Sequence, residues 1–274
     1  MPELPEAEVV AQQLRTRLLG AQLSDCWVGR ADIVREGLPT LWWYRSARLE
    51  EVERYGKSVA LGFQKEGERR YVVAELGMTG LLLFRTAQTK HPQHVHVRMS
   101  FTGGHESELR YWNPRRFGRL SLFDRAGLDR YRARRFGVDP LSVPRDEFIS
   151  LMEARRGRIK PLLMHQQVVA GIGNIYANEI LFRARLHPNR EVHRLRRATI
   201  ITLHDTMQAV LREAISCGGS SVKDFFAPDG TEGRYKQHHL VYGKESQLCP
   251  NRCGRKIRRL QSERSSFYCP ACQI

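Results

Sequence analysis

The sequence has no long hydrophobic run and no segment with the pattern of a secretory leader. Its apolar stretches fall well short of the roughly 20 residues that a membrane-spanning helix needs, and no basic segment followed by an apolar core opens the chain. Internal repeats and low-complexity tracts are also lacking. These absences argue against membrane-spanning, secreted and repeat proteins. The 274 residues, 41% of them hydrophobic, predict a folded cytoplasmic protein with room for two domains.

Acidic residues are scarce relative to basic ones. The chain carries 45 Lys and Arg against 29 Asp and Glu, a net charge of +16. The segment 234–264 alone holds nine basic residues and only Glu245 and Glu263 on the acidic side. Such an excess predicts a polyanionic partner, and nucleic acid is favoured over ribosome or anionic lipid because no amphipathic basic helix is evident. We expect a monomer.

Cysteines are few, and four of the six are grouped near the end of the chain. Cys249, Cys253, Cys269 and Cys272 have the spacing C-x3-C-x15-C-x2-C. In a cytoplasmic protein such a group indicates metal binding rather than disulfides. Four thiolates suit one tetrahedral, structural Zn²⁺, which would staple a segment too short to fold by itself. The alternative is a reduced tail without metal.

Hydrophobic periodicity predicts an α+β protein. A helix over 5–19 precedes short strands at 58–63, 71–76, 81–84, 94–101, 109–112 and 119–123, as in a sandwich or barrel. Helices follow at 146–154, 160–165, 175–184 and 198–217. We therefore predict a β-sandwich domain with a leading helix over 1–128, a helical domain over 138–217, a loop over 218–240 and a cysteine-bounded hairpin over 241–274.

The N-terminus carries a possible covalent catalyst. Once the initiator methionine is removed, Pro2 is a secondary amine, and an α-amino group titrates near pH 8, roughly two units below lysine. Its adduct with a sugar aldehyde carbon would be an iminium that stays cationic. Glu3 and Glu6 are close enough in sequence for acid–base work. The alternative is an ordinary helix start, with Pro5 in the first turn and Glu8 near the positive helix end.

Two loops have the composition of nucleic-acid contacts. Arg115 and Phe117 lie in the turn PRRFG, where a guanidinium can pair with or stack on a base and a ring can wedge between bases. Met78, in LGMTG, is a second possible wedge. The alternative for Met78 and Phe117 is core packing.

A glycine-rich turn and three cations could contact phosphates. Gly173 and Asn174 stand between two predicted helices, where helix N–H groups bind anions. The alternative is a plain joint in which Asn174 caps the second helix. Arg264 lies near the hairpin tip and could reach a phosphate, whereas Lys57 precedes a strand and Lys160 stands at a helix start. The alternative for each is a solvated surface residue.

These motifs, in this order, resemble the formamidopyrimidine-DNA glycosylase family, which also includes endonuclease VIII. The resemblance runs essentially end to end. Leu4 stands where endonuclease VIII has glycine, which favours the formamidopyrimidine branch. The motifs are PELPEAE at 2–8, YGKS at 55–58, LGMTG at 76–80, NPRRFG at 113–118, IKPLLM at 159–164, GIGNIYANE at 171–179, GGSSVKDF at 218–225, DGTEGRY at 229–235, VYGK at 241–244 and FYCPACQ at 267–273.

The resemblance implies a fold and an activity. The fold is an N-terminal catalytic β-sandwich, a helix–two-turn–helix DNA-binding domain, a lesion-capping loop and a zinc finger. The activity is that of a bifunctional DNA glycosylase and abasic-site lyase of base excision repair. It excises oxidised purines such as 8-oxoguanine and formamidopyrimidines from double-stranded DNA and cuts the strand by β,δ-elimination. A bacterial, nucleoid-associated protein is implied.

The resemblance also implies residue roles. Pro2 is the nucleophile toward the sugar's anomeric carbon, Glu3 is the acid, Glu6 holds that site and Lys57 lies near the lesion phosphates.

Further residues would contact the DNA. Met78, Arg115 and Phe117 would fill the gap left by the flipped nucleotide. Phosphate contacts come from Lys160, Gly173, Asn174 and Arg264. The remaining DNA-facing positions are Ser220, in the segment 218–235 that closes over the everted base, and Tyr242.

Three departures from the family pattern accompany the resemblance. Glu75 stands where many relatives have histidine, the first cysteine knuckle has an extra residue, and the segment 91–94 is one residue longer than usual. Two other hypotheses remain. One is a glycosylase with little lyase activity that is specialised for oxidised pyrimidines or cross-links. The other is a zinc-ribbon nucleic-acid-binding protein without catalysis.

Overall fold

The computed structural model describes residues 2–88, 91–221, 225–261 and 264–274. The chain divides into two compact units. The first comprises Met1–Arg134 and Cys217–Lys236, and the second comprises Arg135–Ser216 and Gln237–Ile274. The predicted loop over 218–240 is therefore shared, and most of it belongs to the strand-rich first unit.

The elements up to residue 135 are one helix, a series of strands and a second helix. They are α1 (Leu4–Leu18), β1 (Gln22–Val28), β2 (Val34–Glu36), β3 (Arg48–Tyr55), β4 (Ser58–Lys65), β5 (Glu68–Glu75), β6 (Leu81–Phe84), β7 (Val95–Thr102), β8 (Glu108–Trp112), β9 (Arg119–Asp124) and α2 (Arg125–Arg135). Helix α1 begins where it does because Glu3 and Glu6 form a capping box at its N-terminus. Its buried face packs on β3 and β4.

Strands β1 to β9 form one sheet in the order β2-β9-β5-β4-β3-β1-β7-β8-β6. Among these described strands, only β2 and β9 pair in parallel. The sheet folds over on itself: Phe63 on β4 stacks on Phe101 on β7, with ring centroids 6.4 Å apart, although two strands separate β4 from β7 in the sheet. One apolar cluster joins both sides and includes Phe225 from the returning segment. The predicted α+β class with a β-sandwich is confirmed.

Four elements of the first unit are absent from the sequence-based prediction. Strands β1, β2 and β3 carry polar or charged residues on their exposed faces, so their average hydrophobicity is low even though Leu23 and Leu49 are fully buried. Helix α2 contains five arginines and buries only Gly127, Leu128 and Tyr131. Tertiary packing of a few side chains fixes these elements, and no strong local pattern marks them.

The second unit is helical and ends in a short hairpin. Its elements are α3 (Arg145–Glu153), α4 (Ile159–Met164), α5 (Asn174–Arg183), α6 (Arg197–Ser216), β10 (Arg258–Leu260) and β11 (Ser266–Tyr268). The four predicted helices are confirmed, each displaced by one residue. None of the helices in the described part of the chain combines the length and the apolar composition that a membrane crossing requires.

Two local features stabilise the second unit near its motifs. The Gln166 side chain ties the α4–α5 connection together, because Nε2 donates to the carbonyls of Met164 and Ile172 and Oε1 accepts from Gly171 N. The hairpin is backed by a small apolar cluster of Phe182, Val241, Cys249, Ile257 and Cys269.

Candidate functional site

The N-terminal motif is buried in the first unit. Glu3 and Glu6 are each only 1% exposed, and Pro2 is buried with them. The Glu6 carboxylate accepts two backbone hydrogen bonds, from Glu3 N at 2.7 Å and from Ser220 N at 2.6 Å. Glu6 therefore fixes the backbone beside Pro2 and joins it to the returning segment. The helix-start alternative is consistent with the capping box that Glu3 and Glu6 form, and the contact with Ser220 N is additional to it.

The returning segment can approach Glu6 this closely only through a glycine. Gly219 has a φ of +80°, and a Cβ placed there would lie 2.9 Å from Glu6 Oε1. The two arms of the segment are hydrogen-bonded, with Arg234 N donating to Cys217 O and Tyr235 N donating to Gly219 O. The stretch 222–224 of the predicted capping loop lies outside the described residues. Ser220 is thus held beside the N-terminal motif by its backbone.

Lys57 lies in the tight turn between β3 and β4 and is half-buried. The next residue, Ser58, is paired with Glu75 on β5. The Tyr131 hydroxyl group lies 3.1 Å from Ser58 Oγ and donates to Glu75 Oε1 at 3.3 Å. Arg35 forms an ion pair with the same carboxylate at 3.5 Å. Glu75 therefore links two strand ends that carry Lys57 and the LGMTG turn.

The three predicted wedge residues lie on the surface of the first unit. Met78 is 42% exposed and Phe117 is 56% exposed, so the alternative of core packing is wrong for both. The Arg115 guanidinium lies over the Phe117 ring, 4.8 Å from its centroid. An exposed Met, an exposed ring and a stacked guanidinium form a surface suited to unstacked bases.

Asn113, which sequence reasoning did not single out, holds the two wedge turns together. It is fully buried, and its Oδ1 accepts from Thr79 Oγ1 and from Arg116 N. The turns are also in backbone contact: Gly77 has a φ of +61°, and a Cβ there would lie 2.5 Å from Gly118 N. The only sequence signal for Asn113 is its place in the NPRRFG motif.

The glycine-rich turn of the second unit leads directly into α5. Gly173 occupies the N-cap position, and no side chain caps the helix there. Asn174 is the first helical residue, so the alternative in which it is the N-cap is wrong. Its Oδ1 and main-chain carbonyl accept from Asn178 Nδ2. The Asn174 side chain thus lies at the positive end of a ten-residue helix.

Lys160 is buried, which rules out the alternative of a solvated surface lysine. Its Nζ donates to Arg264 O at 3.3 Å, to Ser265 O at 2.8 Å and to Ser266 Oγ at 2.8 Å. This geometry gives Lys160 a positioning role for the hairpin that carries the exposed Arg264. A direct phosphate contact by Lys160 stays a prediction.

Two further buried side chains, both missed in the sequence, hold the C-terminal segments on α5. The Glu179 carboxylate accepts from the N–H groups of Leu240, Val241 and Tyr242 at 2.7–3.0 Å. Burial raises the pKa of Glu179 above its usual range, and the three N–H donors partly oppose that rise. Asn178 Oδ1 accepts from Phe267 N. Both residues lie in the GIGNIYANE motif, the one signal that marks them.

The Tyr242 ring lies in an aromatic group. It meets the rings of His239 and Phe267 edge to face, at centroid distances of 5.6 and 5.5 Å. Together with Glu179, these contacts fix both the main chain and the side chain of Tyr242.

The four C-terminal cysteines are brought together by the hairpin. Their Sγ atoms all lie within 4.8 Å of one another. Cys249 and Cys272 are 3.8 Å apart and Cys253 and Cys269 are 3.5 Å apart, measured between Sγ atoms. Tetrahedral zinc with Zn–S bonds of about 2.3 Å requires S···S distances of about 3.8 Å. The cluster can therefore bind a metal ion, and the extra residue in the first knuckle does not prevent the four thiols from meeting.

A β-sandwich with a buried N-terminal pair of glutamates, a helical module and a four-cysteine hairpin together define a DNA-repair glycosylase. The chain belongs to the formamidopyrimidine-DNA glycosylase family. The family model of the formamidopyrimidine-DNA glycosylase N-terminal domain matches residues 1–120, and that of the formamidopyrimidine-DNA glycosylase H2TH domain matches residues 136–226. The resemblance that the motifs indicate is confirmed.

Relatives of known name match this chain along its whole length. The formamidopyrimidine-DNA glycosylase of Laribacter hongkongensis is 37% identical over 286 residues, which cover 100% of both chains. That of Solibacter usitatus is 35% identical over 276 residues, which cover 100% of this chain and 99% of the relative.

Solved structures share the same fold. The complex between Lactococcus lactis Fpg and DNA that contains an abasic site is similar with a TM-score of 0.87 and 28% identity, covering 99% of each chain. The MutM (Fpg) protein of Thermus thermophilus has a TM-score of 0.84 and 35% identity, covering 99% of this chain and 98% of that one.

Proposed function

We propose that this protein is a bifunctional DNA glycosylase and abasic-site lyase of base excision repair that removes oxidised purines, such as 8-oxoguanine and formamidopyrimidines, from double-stranded DNA. The observation that carries the proposal is the buried group of Pro2, Glu3 and Glu6 tied to Ser220 in a chain of this family. We further propose that it acts as a monomer in the bacterial cytoplasm, associated with the nucleoid through DNA.

In the proposed reaction the Pro2 nitrogen attacks C1′ of the damaged nucleotide. Glu3 supplies a proton to the departing base or to the sugar ring oxygen, so the C1′–base bond breaks as the C1′–N bond forms. The attached nitrogen then loses its proton, the C1′–O4′ bond breaks as O4′ takes up a proton, and the opened sugar is an iminium on Pro2. This cation acidifies the C2′–H bond, and loss of that proton expels the 3′ phosphate. A second elimination expels the 5′ phosphate, and hydrolysis releases Pro2.

Glu6 serves this reaction as a positioning residue. Its hydrogen bonds from Glu3 N and Ser220 N hold the main chain next to Pro2 and join it to the returning segment. The segment that contains Ser220 would hold the everted base over Pro2. Lys57 would hold a phosphate beside the lesion.

Base eversion would use the exposed wedge. A stacked base hides the bond to be broken, so the enzyme must flip it and fill the gap. Met78 and Phe117 have the exposure that insertion requires, and Arg115, stacked on Phe117, can face the orphaned base.

Phosphate contacts would hold the DNA on the second unit. They would come from Gly173, Asn174 and Arg264, with Lys160 and Tyr242 at the same interface. One structural Zn²⁺, bound by the four cysteines, would hold the hairpin that presents Arg264.

Borohydride trapping tests the proposal. Wild-type protein is incubated with a duplex that carries one 8-oxoguanine opposite cytosine, and the mixture is reduced. A covalent protein–DNA band is expected for wild type, because reduction fixes the iminium. A much weaker band is expected for Pro2→Gly, because its primary amine gives an imine that is cationic only while protonated, whereas the proline iminium has no N–H to lose. Pro5→Ala is the matched control: it removes a neighbouring proline and leaves the amine intact, so its band should remain.

The other outcomes separate the alternatives. A band on an abasic site without one on 8-oxoguanine would retain the lyase and reject oxidised purines as substrates. The absence of a band on either DNA, with a free Pro2 amine verified by mass, would refute covalent catalysis and favour a nucleic-acid-binding protein.

A further inference from the structure

The helical unit carries a basic groove that the proposed site does not use. It has a volume of about 530 Å³ and lies beside the turn between α3 and α4. Three arginines, Arg155, Arg156 and Arg158, line it, and all three are exposed. Its apolar lining comes from α4 and the connection after it, and consists of Pro161, Leu162 and Val168.

The positive charge of the groove is not neutralised within the described part of the chain, where none of the three arginines pairs with a carboxylate. Glu153, the acidic residue nearest in sequence, forms an ion pair with Arg197 at 3.7 Å. Other arginines of the same unit are paired, as Arg145 is with Asp205. Like charges on one short turn repel each other, and a bound anion would relieve that repulsion.

The turn that presents the arginines has a fixed backbone. Gly157 has a φ of +98°, a conformation that glycine adopts readily. Gly157 O accepts from Val192 N, and Ile159 N donates to Arg190 O, both at 2.9 Å. Arg158 also forms a β-bridge with Glu191. Guanidinium groups mounted on a fixed turn lose less entropy on binding an anion than groups on a loose loop.

We propose that this groove binds the phosphodiester backbone of DNA away from the lesion, independently of sequence and damage. The proposal rests on the DNA glycosylase function above. Guanidinium groups match phosphate oxygens in a bidentate manner. Among the described residues no Trp, Tyr or Phe lines the groove, and His165 is its one aromatic ring, so three guanidinium groups outnumber the rings available for stacking and favour phosphate contact. The apolar floor would accept deoxyribose. Val168 lies in the same α4–α5 connection that ends at Gly173 and Asn174, the proposed phosphate contacts.

The test compares two triple variants of equal charge. R155Q/R156Q/R158Q removes the groove cations, and R130Q/R194Q/R196Q removes three arginines that do not line it. Binding to an undamaged 40-base-pair duplex is measured against salt concentration. Each lost phosphate contact lowers the slope of log K against log salt by about 0.9. We expect the groove variant to lose about 2 to 3 units of slope and the control to lose less than one. Thermal unfolding checks that both variants fold.

Equal slopes for the two variants would overturn the proposal, because the effect would then be one of net charge. The proposal would also be overturned if a single-stranded RNA of the same length bound more tightly than DNA, and if the groove variant weakened binding of that RNA but not of DNA. A third outcome is that millimolar inorganic phosphate stabilises wild type but not the groove variant, while the two proteins bind DNA equally. That outcome would assign the groove to a free anion and refute the DNA assignment.

Borohydride trapping with the wild-type protein tests the proposed function separately from the groove. Slope loss without any covalent adduct would refute the proposed function and retain the groove.

Discussion

The first unit holds its candidate catalytic and wedge residues by close glycine contacts together with the buried side chains of Glu6 and Asn113, whereas the second holds its hairpin mainly by buried polar side chains. Gly77 and Gly219 allow the close approaches in the first unit. In the second, Lys160, Asn178 and Glu179 hydrogen-bond the main chain of the C-terminal segments.

The difference follows from the size of the available core. The first unit supports its turns on a large apolar cluster, so close glycine contacts and a few buried side chains set their geometry. The hairpin has only a small cluster behind it and must obtain its stability from hydrogen bonds and a metal. Substitutions in the two regions should therefore impair the protein in different ways.

Removal of the metal should have the largest effect and separate the two regions. Chelation, with metal loss verified by elemental analysis, should abolish binding to duplex DNA while the β-sandwich keeps its circular dichroism signal. Cys272→Ser should behave in the same way, and Cys217→Ser, outside the cluster, should bind normally. Full binding after verified metal loss would show that the hairpin does not depend on the metal.

Loss of Glu179 should have the next largest effect, because it leaves three N–H groups, one buried and two partly buried, without their acceptor. Glu179→Ala should lower the free energy of unfolding of the second unit by about 3 kcal/mol and weaken DNA binding through Tyr242. Glu179→Gln keeps the volume but offers one acceptor oxygen, so its loss should be smaller. Chemical denaturation followed by circular dichroism measures both, and equal stability of all three proteins would contradict this role.

The pH dependence of that effect has a definite sign. The pKa of Glu179 in the folded protein is raised above its ordinary value of 4.5, mainly by burial. The stability that its protonation contributes is present at low pH and is lost as pH rises through the folded-state pKa. The stability of wild type relative to Glu179→Gln should therefore fall from acidic to neutral pH. A relative stability that rises over this range would show that the pKa of Glu179 is lowered in the folded protein.

Gly77→Ala tests the backbone contact of the first unit. The added Cβ would meet Gly118 N at 2.5 Å and would also strain a positive φ, so we expect a loss of about 2–3 kcal/mol and poor base excision. Gly103→Ala is the matched control: its φ is +78° but nothing lies within 4 Å, so only about 1 kcal/mol should be lost. Similar losses in stability and excision for both variants would refute the contact.

The smallest effect is expected for variants that test whether Lys160 positions the hairpin or contacts a phosphate directly. If Lys160 acts through the hairpin that carries Arg264, Lys160→Met and Arg264→Ala should couple, with a double-mutant loss of binding energy about 1 kcal/mol smaller than the sum. In the Arg264→Ala background, Lys160→Met should then leave the salt slope nearly unchanged. Additive losses and a slope reduced by a further 0.9 or so in that background would assign a phosphate contact to Lys160.

Sequence patterns predicted the helices well because helix periodicity and end signals are local. The helix predicted over 175–184 spans Asn174–Arg183. The prediction is off by one residue because Gly173 occupies the N-cap position. Strands β1 to β3 escaped prediction because their exposed faces are polar and only a few side chains are buried. The cysteine spacing predicted the cluster, since a hairpin brings residues at that spacing together.

The sequence by itself determined the family, the α+β class, the four-cysteine cluster and the residue types available for chemistry, because motifs and periodicity reside in neighbouring residues. Only the tertiary structure decided that Glu6 meets Ser220 across 214 residues, that Asn113 joins two turns and that Lys160 faces the hairpin. Such contacts depend on which buried polar groups find partners when distant segments pack together. No local pattern encodes that choice, because the free energy of each hydrogen bond depends on the burial that the whole fold creates.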